Sequence, residues 1–491
     1  MSGRGVHESV DHPSSRSDAS MTSRPFSGPS LSSSPLVPSI RSVMRDAQSA
    51  VGGGQSRGRN AGLERAEDSE MAGQSKERTL RRRRLLQSVM LGGCALPVAA
   101  DLLRPSAARA AQEAGHGGGG TPTTGVNGDQ GYESAGSFEI VADFYGPGPS
   151  GVVVTDTGRI FVGFPRHAVN HKGATLGELV QGRVVPWPSA ELSLPSAAAP
   201  ADRLMSIHGM TMDTQGRVWA IDDGKLAGQP LQPGAAKLVC FDPQTNRLVH
   251  KIVLTAPALL PDSHMNDLRV DLTHGQAGTA YVTDSSFGHS PALVVVDIAS
   301  GRQRRVLATH PSTRAEPGFM AVVEGVPLVY TPGKPPRFVV GGADGVTLSP
   351  NSDRLFYAPL TSRRLYSLPT ALLADPTVSD AALAAAVKDE GEKGTADGLA
   401  TDAQGRIYTT NFEQDCILRR NTDGSFDLMV HDPRILSPDG IFCTKTHVYC
   451  TLGQWNRLAS FNGGQDKRKP PYHLIRFPIE PLPAYNAEQK T

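Results

Sequence analysis

Six short stretches of the chain place a polar residue before a small or apolar one and then continue into an apolar run. The pairs are Ser150-Gly151, His208-Gly209, Asp267-Leu268, Asp344-Gly345, Asp397-Gly398 and Asp439-Gly440. Four of these polar residues are aspartates, and carboxylates that converge on one point repel unless a cation, a cationic ligand or a proton intervenes. The set therefore predicts a site for an organic amine or for Ca²⁺, which prefers oxygen ligands. The alternative is that each aspartate only shapes a turn by accepting backbone N–H groups.

Three further side chains are candidates for the same site. Asn266 would add an amide oxygen, Asn411 ends a predicted strand of the fifth repeat, and Arg166 would contact an anionic group of a ligand, with a solvated or paired arginine as the alternative. His167 and His171 have the spacing of two metal ligands on one helix face. Because "PRHAVNHKG" lacks the glutamate of the zinc-protease motif, we interpret both as loop histidines. The sequence indicates no catalytic residue.

The elements that must position these residues repeat six times. Each pair is followed by an apolar run, a polar turn and a second apolar run, as in "TADGLATDAQGRIYTTN" from Thr395 to Asn411. Several units add an outer hairpin, and radial repetition of four-stranded units is typical of a propeller. We therefore predict an all-β fold, a six-bladed β-propeller over residues 137–480. Its ring would close by pairing "SFEIVADFY" near Ser137 with "PYHLIRFPI" near Pro471, because an open ring leaves exposed strand edges.

The composition and net charge of the chain indicate which classes of partner to expect. The chain of 491 residues has 49 Lys and Arg against 48 Asp and Glu, for a formal net charge of +1. Because nucleic-acid-binding proteins usually carry a basic surplus, we expect no nucleic-acid partner. We expect a monomer with a small-molecule ligand.

The N-terminal part of the chain divides by composition. Residues 1–75, rich in Ser, Gly and Arg, are predicted to be disordered or a non-native extension. Residues 76–110 join arginines, an apolar stretch and an Ala-x-Ala site, which is typical of a twin-arginine signal peptide; residues 111–136 are a Gly-rich linker. The protein is therefore predicted to be secreted or periplasmic, without a membrane span in its mature form. In the alternative, Cys94 belongs to a lipoprotein box and anchors the protein by a lipid.

Four cysteines remain after the predicted cleavage, at positions 240, 416, 443 and 450. An even number in an exported chain permits disulfides. Cys443 and Cys450 would face each other across a two-residue hairpin at Thr446-His447, which makes them the candidate pair. Buried, unpaired cysteines are the alternative.

Three stretches of the chain together resemble the yellow / major royal jelly protein family, over roughly Phe138 to Ile479. "RIFVGFPRHAVNHKGATLGEL" is similar to the family's first-blade segment, "LMSIHGMTMDTQGRVWAIDDG" to its Gly-Arg-Leu-Trp segment, and "GADGVTLSPNSDRLFYAPLTSRRLYSLPTALL" to its fourth blade. Animal members usually have a cysteine within the turn that here reads Asp213-Thr214-Gln215-Gly216. With the predicted export signal, this departure indicates a bacterial-type member.

The resemblance implies a ligand-binding propeller rather than a particular reaction. Some family members bind small amines in the central channel, some are linked to dopachrome rearrangement, and others are nutritive or structural. The candidate ligand-binding residues are His208, Asn266, Asp267, Asp344, Asp397, Asn411, Asp439 and Arg166. The candidate Ca²⁺ ligands are Asp267, Asp344, Asp397 and Asp439.

Two enzymatic alternatives remain open, a Ca²⁺-dependent lactonase of the gluconolactonase/regucalcin type and a dopachrome-type isomerase. Against the lactonase, "GPGPSGVVV" from Gly146 to Val154 lacks the metal-binding glutamate that those enzymes carry on their first blade.

Overall fold

The computed structural model describes residues 134–480, apart from residues 289, 309 and 332–334. The predicted extension, signal peptide and lipidation site, and nearly all of the predicted linker, lie outside these residues. In the part of the chain that is described, no helix has the length and apolar character needed to cross a bilayer.

Six four-stranded antiparallel sheets form the blades of a propeller, which confirms the predicted fold. In chain order, β1 (Glu139–Phe144) precedes blade 1, which contains β2 (Val152–Val154), β3 (Ile160–Gly163), β4 (Leu176–Val180) and β5 (Arg183–Pro186). Blade 2 contains β6 (Ile207–Met212), β7 (Val218–Asp222), β8 (Lys237–Asp242) and β9 (Arg247–Val253), and blade 3 contains β10 (Met265–Asp271), β11 (Thr279–Asp284), β12 (Ala292–Asp297) and β13 (Gln303–Val306). Two short hairpins follow, β14 (Val322–Val323) with β15 (Val326–Pro327), and β16 (Val329–Tyr330) with β17 (Arg337–Phe338). Blade 4 contains β18 (Ala343–Leu348), β19 (Arg354–Pro359), β20 (Arg364–Pro369) and β21 (Lys388–Glu392), and blade 5 contains β22 (Leu399–Thr401), β23 (Ile407–Asn411), β24 (Cys416–Arg420) and β25 (Phe426–His431). Blade 6 contains β26 (Pro438–Cys443), β27 (His447–Leu452) and β28 (Tyr472–Pro478).

The ring closes by pairing the first and last strands of the propeller, as predicted. β1 pairs with β28, with Phe144 opposite Tyr472 and Glu139 opposite Arg476, so that the N-terminal strand completes blade 6. This pairing removes an exposed strand edge. Helices are short: α1 (Ala190–Ser193) follows blade 1, while α2 (Thr370–Ala374) and α3 (Asp380–Ala386) lie within blade 4 between β20 and β21.

An Asp-x-x-Gly-Arg-x-aromatic motif fixes the first hairpin of blades 2 and 5. Asp213 Oδ2 accepts hydrogen bonds from Arg217 Nε at 2.6 Å and from Trp219 Nε1 at 2.8 Å. In blade 5, Asp402 Oδ2 accepts from Arg406 Nε at 2.6 Å and from the hydroxyl of the following tyrosine at 3.2 Å. Each aspartate thus ties the turn to the aromatic residue buried between the blades.

The predicted disulfide is absent. All four cysteines of the described chain are free thiols. In blade 6, Cys443 lies opposite Val448 and Ile441 lies opposite Cys450, so the two thiols are diagonal neighbours rather than a facing pair. The prediction was wrong because the hairpin turns one residue earlier than assumed, with the N–H of Thr444 donating to the carbonyl of His447. A shift of one residue in a turn moves the register of the whole strand.

Candidate functional site

A β-bulge opens the innermost strand of blades 2, 3, 4 and 6. In blade 2, the register of β6 against β7 shifts between Ile207 and Met210, so that His208 and Gly209 together face a single residue. β10, β18 and β26 shift at the same place. In blades 1 and 5, backbone hydrogen bonds hold an equivalent pair just before β2 and β22. A bulge re-aims the side chain of its first residue.

The bulges interlock around the propeller axis. Their first residues are Ser150, His208, Asn266, Asp344, Asp397 and Asp439, and their second residues are Gly151, Gly209, Asp267, Gly345, Gly398 and Gly440. In the five blades whose second residue is glycine, an added Cβ atom would collide with the next blade. On Gly398 it would lie 2.3 Å from the carbonyl of Asp439, and on Gly440 it would lie 2.2 Å from that of Ser150. Glycine is therefore required by close backbone approach rather than by turn chemistry alone.

In blade 3 the bulge begins one residue earlier than the sequence repeats predicted, at Asn266 instead of Asp267. The bulge places Asn266, not Asp267, at the position that faces the channel mouth, and a Cβ on Gly209 would meet the carbonyl of Asn266 at 2.6 Å, as in the other blades. Asp267 occupies the position that is glycine elsewhere and does not line the cavity described below. Burial raises the pKa of Asp267 to about 6, partly offset by the nearby Arg269.

The first bulge residues line a cavity of about 760 Å³ at the channel mouth. Blades 1 to 3 contribute neutral residues to this ring, Ser150, His208 and Asn266. Blades 4 to 6 contribute the three aspartates Asp344, Asp397 and Asp439, which we call the acid wall. The cavity is thus chemically divided across the axis.

The acid wall holds its carboxyls in an environment that disfavours charge. Burial, with the charges of Asp267 and Asp439, raises the pKa of Asp344 well above its ordinary range. Burial and the adjacent Asp344 do the same for Asp397, and burial and Asp397 for Asp439. Ser285 Oγ donates to Asp344 Oδ2 at 3.0 Å, whereas Asp344 Oδ1 is buried without a hydrogen-bond partner. A buried acceptor without a partner indicates a missing donor.

Four aromatic rings cover the cavity, and we call them the aromatic wall. Phe287 and Tyr330 stack with centroids 6.4 Å apart, Tyr330 contacts Phe461 at 5.9 Å, and Phe461 contacts Trp455 at 5.6 Å. Tyr330 comes from β16, and Trp455 and Phe461 come from short 3₁₀ turns between β27 and β28. The N–H of Thr331 donates to the carbonyl of Ser460 at 2.8 Å, which joins the two segments.

Three histidines from different blades meet on the neutral side, and we call them the histidine cluster. His167 follows β3, His208 is the bulge residue of β6, and His264 precedes β10. One ligating atom from each lies within 4.8 Å of the others, and the ring centroids are 4.7 to 5.2 Å apart. All three line the cavity.

A buried carboxylate supports the histidine cluster. Asp223 Oδ2 lies 2.9 Å from His167 Nδ1 and 3.9 Å from His264 Nδ1. Burial would raise the pKa of Asp223, but His167 and His208 outweigh it and hold that pKa below its ordinary value. Burial lowers the pKa of His208 to about 3, and burial with the two neighbouring histidines holds that of His264 well below its usual range. The latter two imidazoles are therefore neutral at physiological pH.

The sequence did not indicate His264, which lies outside the repeated strand pattern. His167 lies in a loop, as interpreted, but it also packs against His208 and His264, which the sequence did not predict. His171 lines the cavity but lies outside the cluster, with its Nε2 3.0 Å from the carbonyl of Phe164. A usable signal was present: each of the three histidines stands within a few residues of a strand end at the same mouth.

Two predicted ligand-binding residues lie away from the cavity. Arg166 is 1% exposed, and its terminal nitrogens donate to backbone carbonyls, including those of Met205 at 2.8 Å and Gly173 at 2.7 Å. Asn411 is also buried, and its Oδ1 accepts from Thr395 Oγ1 at 2.8 Å. Neither residue lines the cavity, so the structure assigns both to internal support of the blades.

The ring of bulges and the covered cavity define a six-bladed propeller of the kind that holds a site at its channel mouth. The sequence model of the major royal jelly protein family matches residues 205–444 of the chain. This confirms the family suggested by the sequence motifs. No curated protein sequence matches the chain significantly.

Several solved structures are similar to the chain at low identity. A calcium-binding protein, regucalcin, from Agrobacterium tumefaciens is 14% identical over 70% of this chain and 95% of its own, with a TM-score of 0.40. A virginiamycin B lyase from Staphylococcus aureus is 12% identical over 70% of this chain and 100% of its own, with a TM-score of 0.38. A putative gluconolactonase is 11% identical over 71% of this chain and 93% of its own, with a TM-score of 0.41. These are likenesses of fold alone.

Proposed function

We propose that the cavity binds a small aromatic amine, with its ammonium group at the acid wall and its ring against the aromatic wall. The observation that carries the proposal is the pairing of these two walls in one cavity. Cavities of a few hundred Å³ with apolar walls and a few convergent polar groups are typical ligand sites.

An ammonium group would offset the repulsion among the carboxyls of the acid wall and donate hydrogen bonds to them. Its three donors would satisfy Asp344 Oδ1, to which the protein offers only the carboxyl of Asp397, and would contact Asp397 and Asp439. Its charge would also offset the repulsion that raises the pKa of these carboxyls. Aromatic faces attract cations and stack on flat rings, which favours an arylalkylamine over an aliphatic amine.

Calorimetric titration with tryptamine tests the proposal. Tryptophol, in which a hydroxyl replaces the amine, is the matched neutral ligand. We expect tryptamine to bind at least tenfold more tightly than tryptophol, and Asp397→Asn and Asp439→Asn each to weaken tryptamine binding about tenfold while sparing tryptophol. Asp156→Asn is the control, because its side chain is 76% exposed and it does not line the cavity. Equal binding of the two ligands, or no binding of tryptamine, would refute the proposal.

The same titration with Ca²⁺ tests the alternative occupant. The acid wall and the amide of Asn266 offer oxygen donors, which a hard cation prefers. If Ca²⁺ binds and displaces tryptamine, the acid wall is the shared site. If Ca²⁺ binds and tryptamine does not, the metal replaces the amine as the proposed occupant.

A dopachrome-type isomerisation is a second candidate function. Carboxyls whose pKa is raised well above its ordinary value can exchange protons with a bound substrate, and the pKa values of Asp344, Asp397 and Asp439 are raised in this way by burial and by neighbouring carboxyls. The decay of dopachrome absorbance with and without the protein tests it. An unchanged rate would leave binding as the function.

We also propose that the protein is exported, on the strength of residues 76–110 alone. The mass of the exported protein tests this. A mature N-terminus at Ala111 supports cleavage of a signal peptide, whereas an acylated Cys94 indicates a lipid anchor.

A further inference from the structure

We infer that His167, His208 and His264 bind one divalent transition-metal ion, with a coordination position open to the cavity. This site lies across the cavity from the acid wall and does not depend on the proposed amine ligand.

The fold brings the three imidazoles to one point from three blades. A ligating atom of each lies within 4.8 Å of the other two. Tetrahedral coordination with metal–nitrogen distances of about 2.0 to 2.1 Å places ligand nitrogens about 3.3 Å apart. The ion would have to draw the three nitrogens together by up to about 1.5 Å. His208 and His264 are held by bulge and strand backbone, with the N–H of His264 donating to Asp284 Oδ1 at 2.8 Å.

Asp223 provides the outer support that metal-binding histidines usually have. Its Oδ2 lies 2.9 Å from His167 Nδ1, which leaves His167 Nε2 to face the ion. The carboxylate is itself oriented, because Asp223 Oδ1 accepts the N–H of Lys225 at 2.9 Å. A carboxylate behind a ligating histidine fixes the ring and strengthens the nitrogen as a ligand.

Unsatisfied polar atoms concentrate at this point. His167 Nδ1, His208 Nδ1 and Asp223 Oδ2 are all buried without a hydrogen bond of acceptable geometry, despite the short contact between the first and the last. A buried polar atom without a partner destabilises the folded state, so native proteins rarely group such atoms. A metal ion that draws in the imidazoles, and so tightens the contact with Asp223, accounts for the grouping.

The donor set selects the class of ion. Imidazole nitrogen suits Zn²⁺, Cu²⁺, Ni²⁺ or Fe²⁺, whereas Ca²⁺ requires oxygen ligands. Three histidines with an open position are the composition of a catalytic rather than a structural zinc site. Because all three histidines line the cavity, the open position faces the space in which a ligand would lie. An oxygen or nitrogen atom of that ligand would complete the coordination.

Titration of the chelator-treated full chain with Co²⁺ and Zn²⁺ tests the site. We expect one Co²⁺ per chain, with visible absorption bands that Zn²⁺ removes by competition and that an excess of Ca²⁺ leaves unchanged. His264→Ala should weaken binding at least 100-fold, and the isosteric Asp223→Asn about 10- to 100-fold. His171→Ala is the matched control, since it removes a cavity histidine outside the cluster and should bind as the wild type does.

Three outcomes would overturn the inference: no binding of Co²⁺ or Zn²⁺ at one per chain, wild-type affinity in His264→Ala, or equal losses in His171→Ala and His264→Ala. Circular dichroism of each metal-free variant establishes that it is folded, and Asp223→Asn keeps the test valid if His264→Ala does not fold. The carboxyl variant Asp397→Asn should keep the cobalt spectrum, which separates failure of this site from failure of the amine site.

Discussion

Asp267 is the one residue of the bulge ring that breaks the glycine pattern, and its replacement by asparagine should stabilise the protein. At the second bulge position the other five blades have glycine. Asp267 instead adds a carboxyl whose charge contributes to the raised pKa of Asp344, Asp397 and Asp439. Asparagine keeps the shape of the side chain and removes the charge.

The size of the effect follows from the pKa. Burial raises the pKa of Asp267 from 3.8 to about 6, and each unit corresponds to about 1.4 kcal/mol, so the full shift is worth about 3 kcal/mol. Because the side chain is partly accessible, solvent screening reduces this to about 2 kcal/mol.

The pH dependence gives the sign. A carboxyl whose folded pKa is raised binds more protons in the folded state between pH 3.8 and about 6, so stability falls as pH rises through that window. Above it the penalty is complete. Asp267→Asn should therefore raise the free energy of unfolding by about 2 kcal/mol at pH 8 and leave it unchanged near pH 3.5.

Urea denaturation of both proteins at pH 8 and pH 3.5 measures this change. Thermal melting is a second readout, with an expected rise of about 3 °C at pH 8. Asp156→Asn makes the same charge change at an exposed position and should alter stability by less than about 0.5 kcal/mol. Destabilisation by Asp267→Asn at pH 8, or an equal effect at both pH values, would refute the electrostatic reasoning.

Three other features give predictions about stability. Asp213→Ala and Asp402→Ala should each lower the free energy of unfolding, measured in urea, by about 3 kcal/mol, because each leaves a buried aromatic donor and an arginine unpaired. The two losses should add, since the sites lie in separate blades. A loss below about 1 kcal/mol would show that the motif does not stabilise the hairpin. Arg166→Met should cost about 3 kcal/mol in the same assay through its lost bonds to carbonyls, whereas a neutral result would free Arg166 for another role. Because Cys443 and Cys450 are free thiols, a reductant should leave the melting temperature unchanged, and all cysteine thiols of the mature chain should react after denaturation.

The strand pattern predicted most of the fold because local chemistry and tertiary structure agree in each blade. The Asp-x-x-Gly-Arg-x-aromatic turn around Asp213 recurs around Asp402 with the same contacts. Ring closure also followed from sequence, because the pairing of β1 with β28 removes an exposed strand edge.

The site was predicted less well, because its residues lie on bulges and on long connections between strands. A bulge adds one residue to a strand without a distinctive sequence, and in blade 3 the usual glycine is Asp267, so the alignment slipped past Asn266. His264 lies before its strand and Tyr330 on a short hairpin outside the blades. Contacts between such segments depend on how blades meet in space, which periodicity along the chain does not encode.

A crystal structure of the protein soaked with tryptamine would show whether the cavity binds an aromatic amine as proposed. We expect the ammonium nitrogen to lie within about 3.2 Å of carboxylate oxygens of Asp344, Asp397 or Asp439, with the indole against Tyr330 and Phe461. Tryptamine bound outside this cavity, or bound within it with the ammonium turned away from the acid wall, would refute the proposed site.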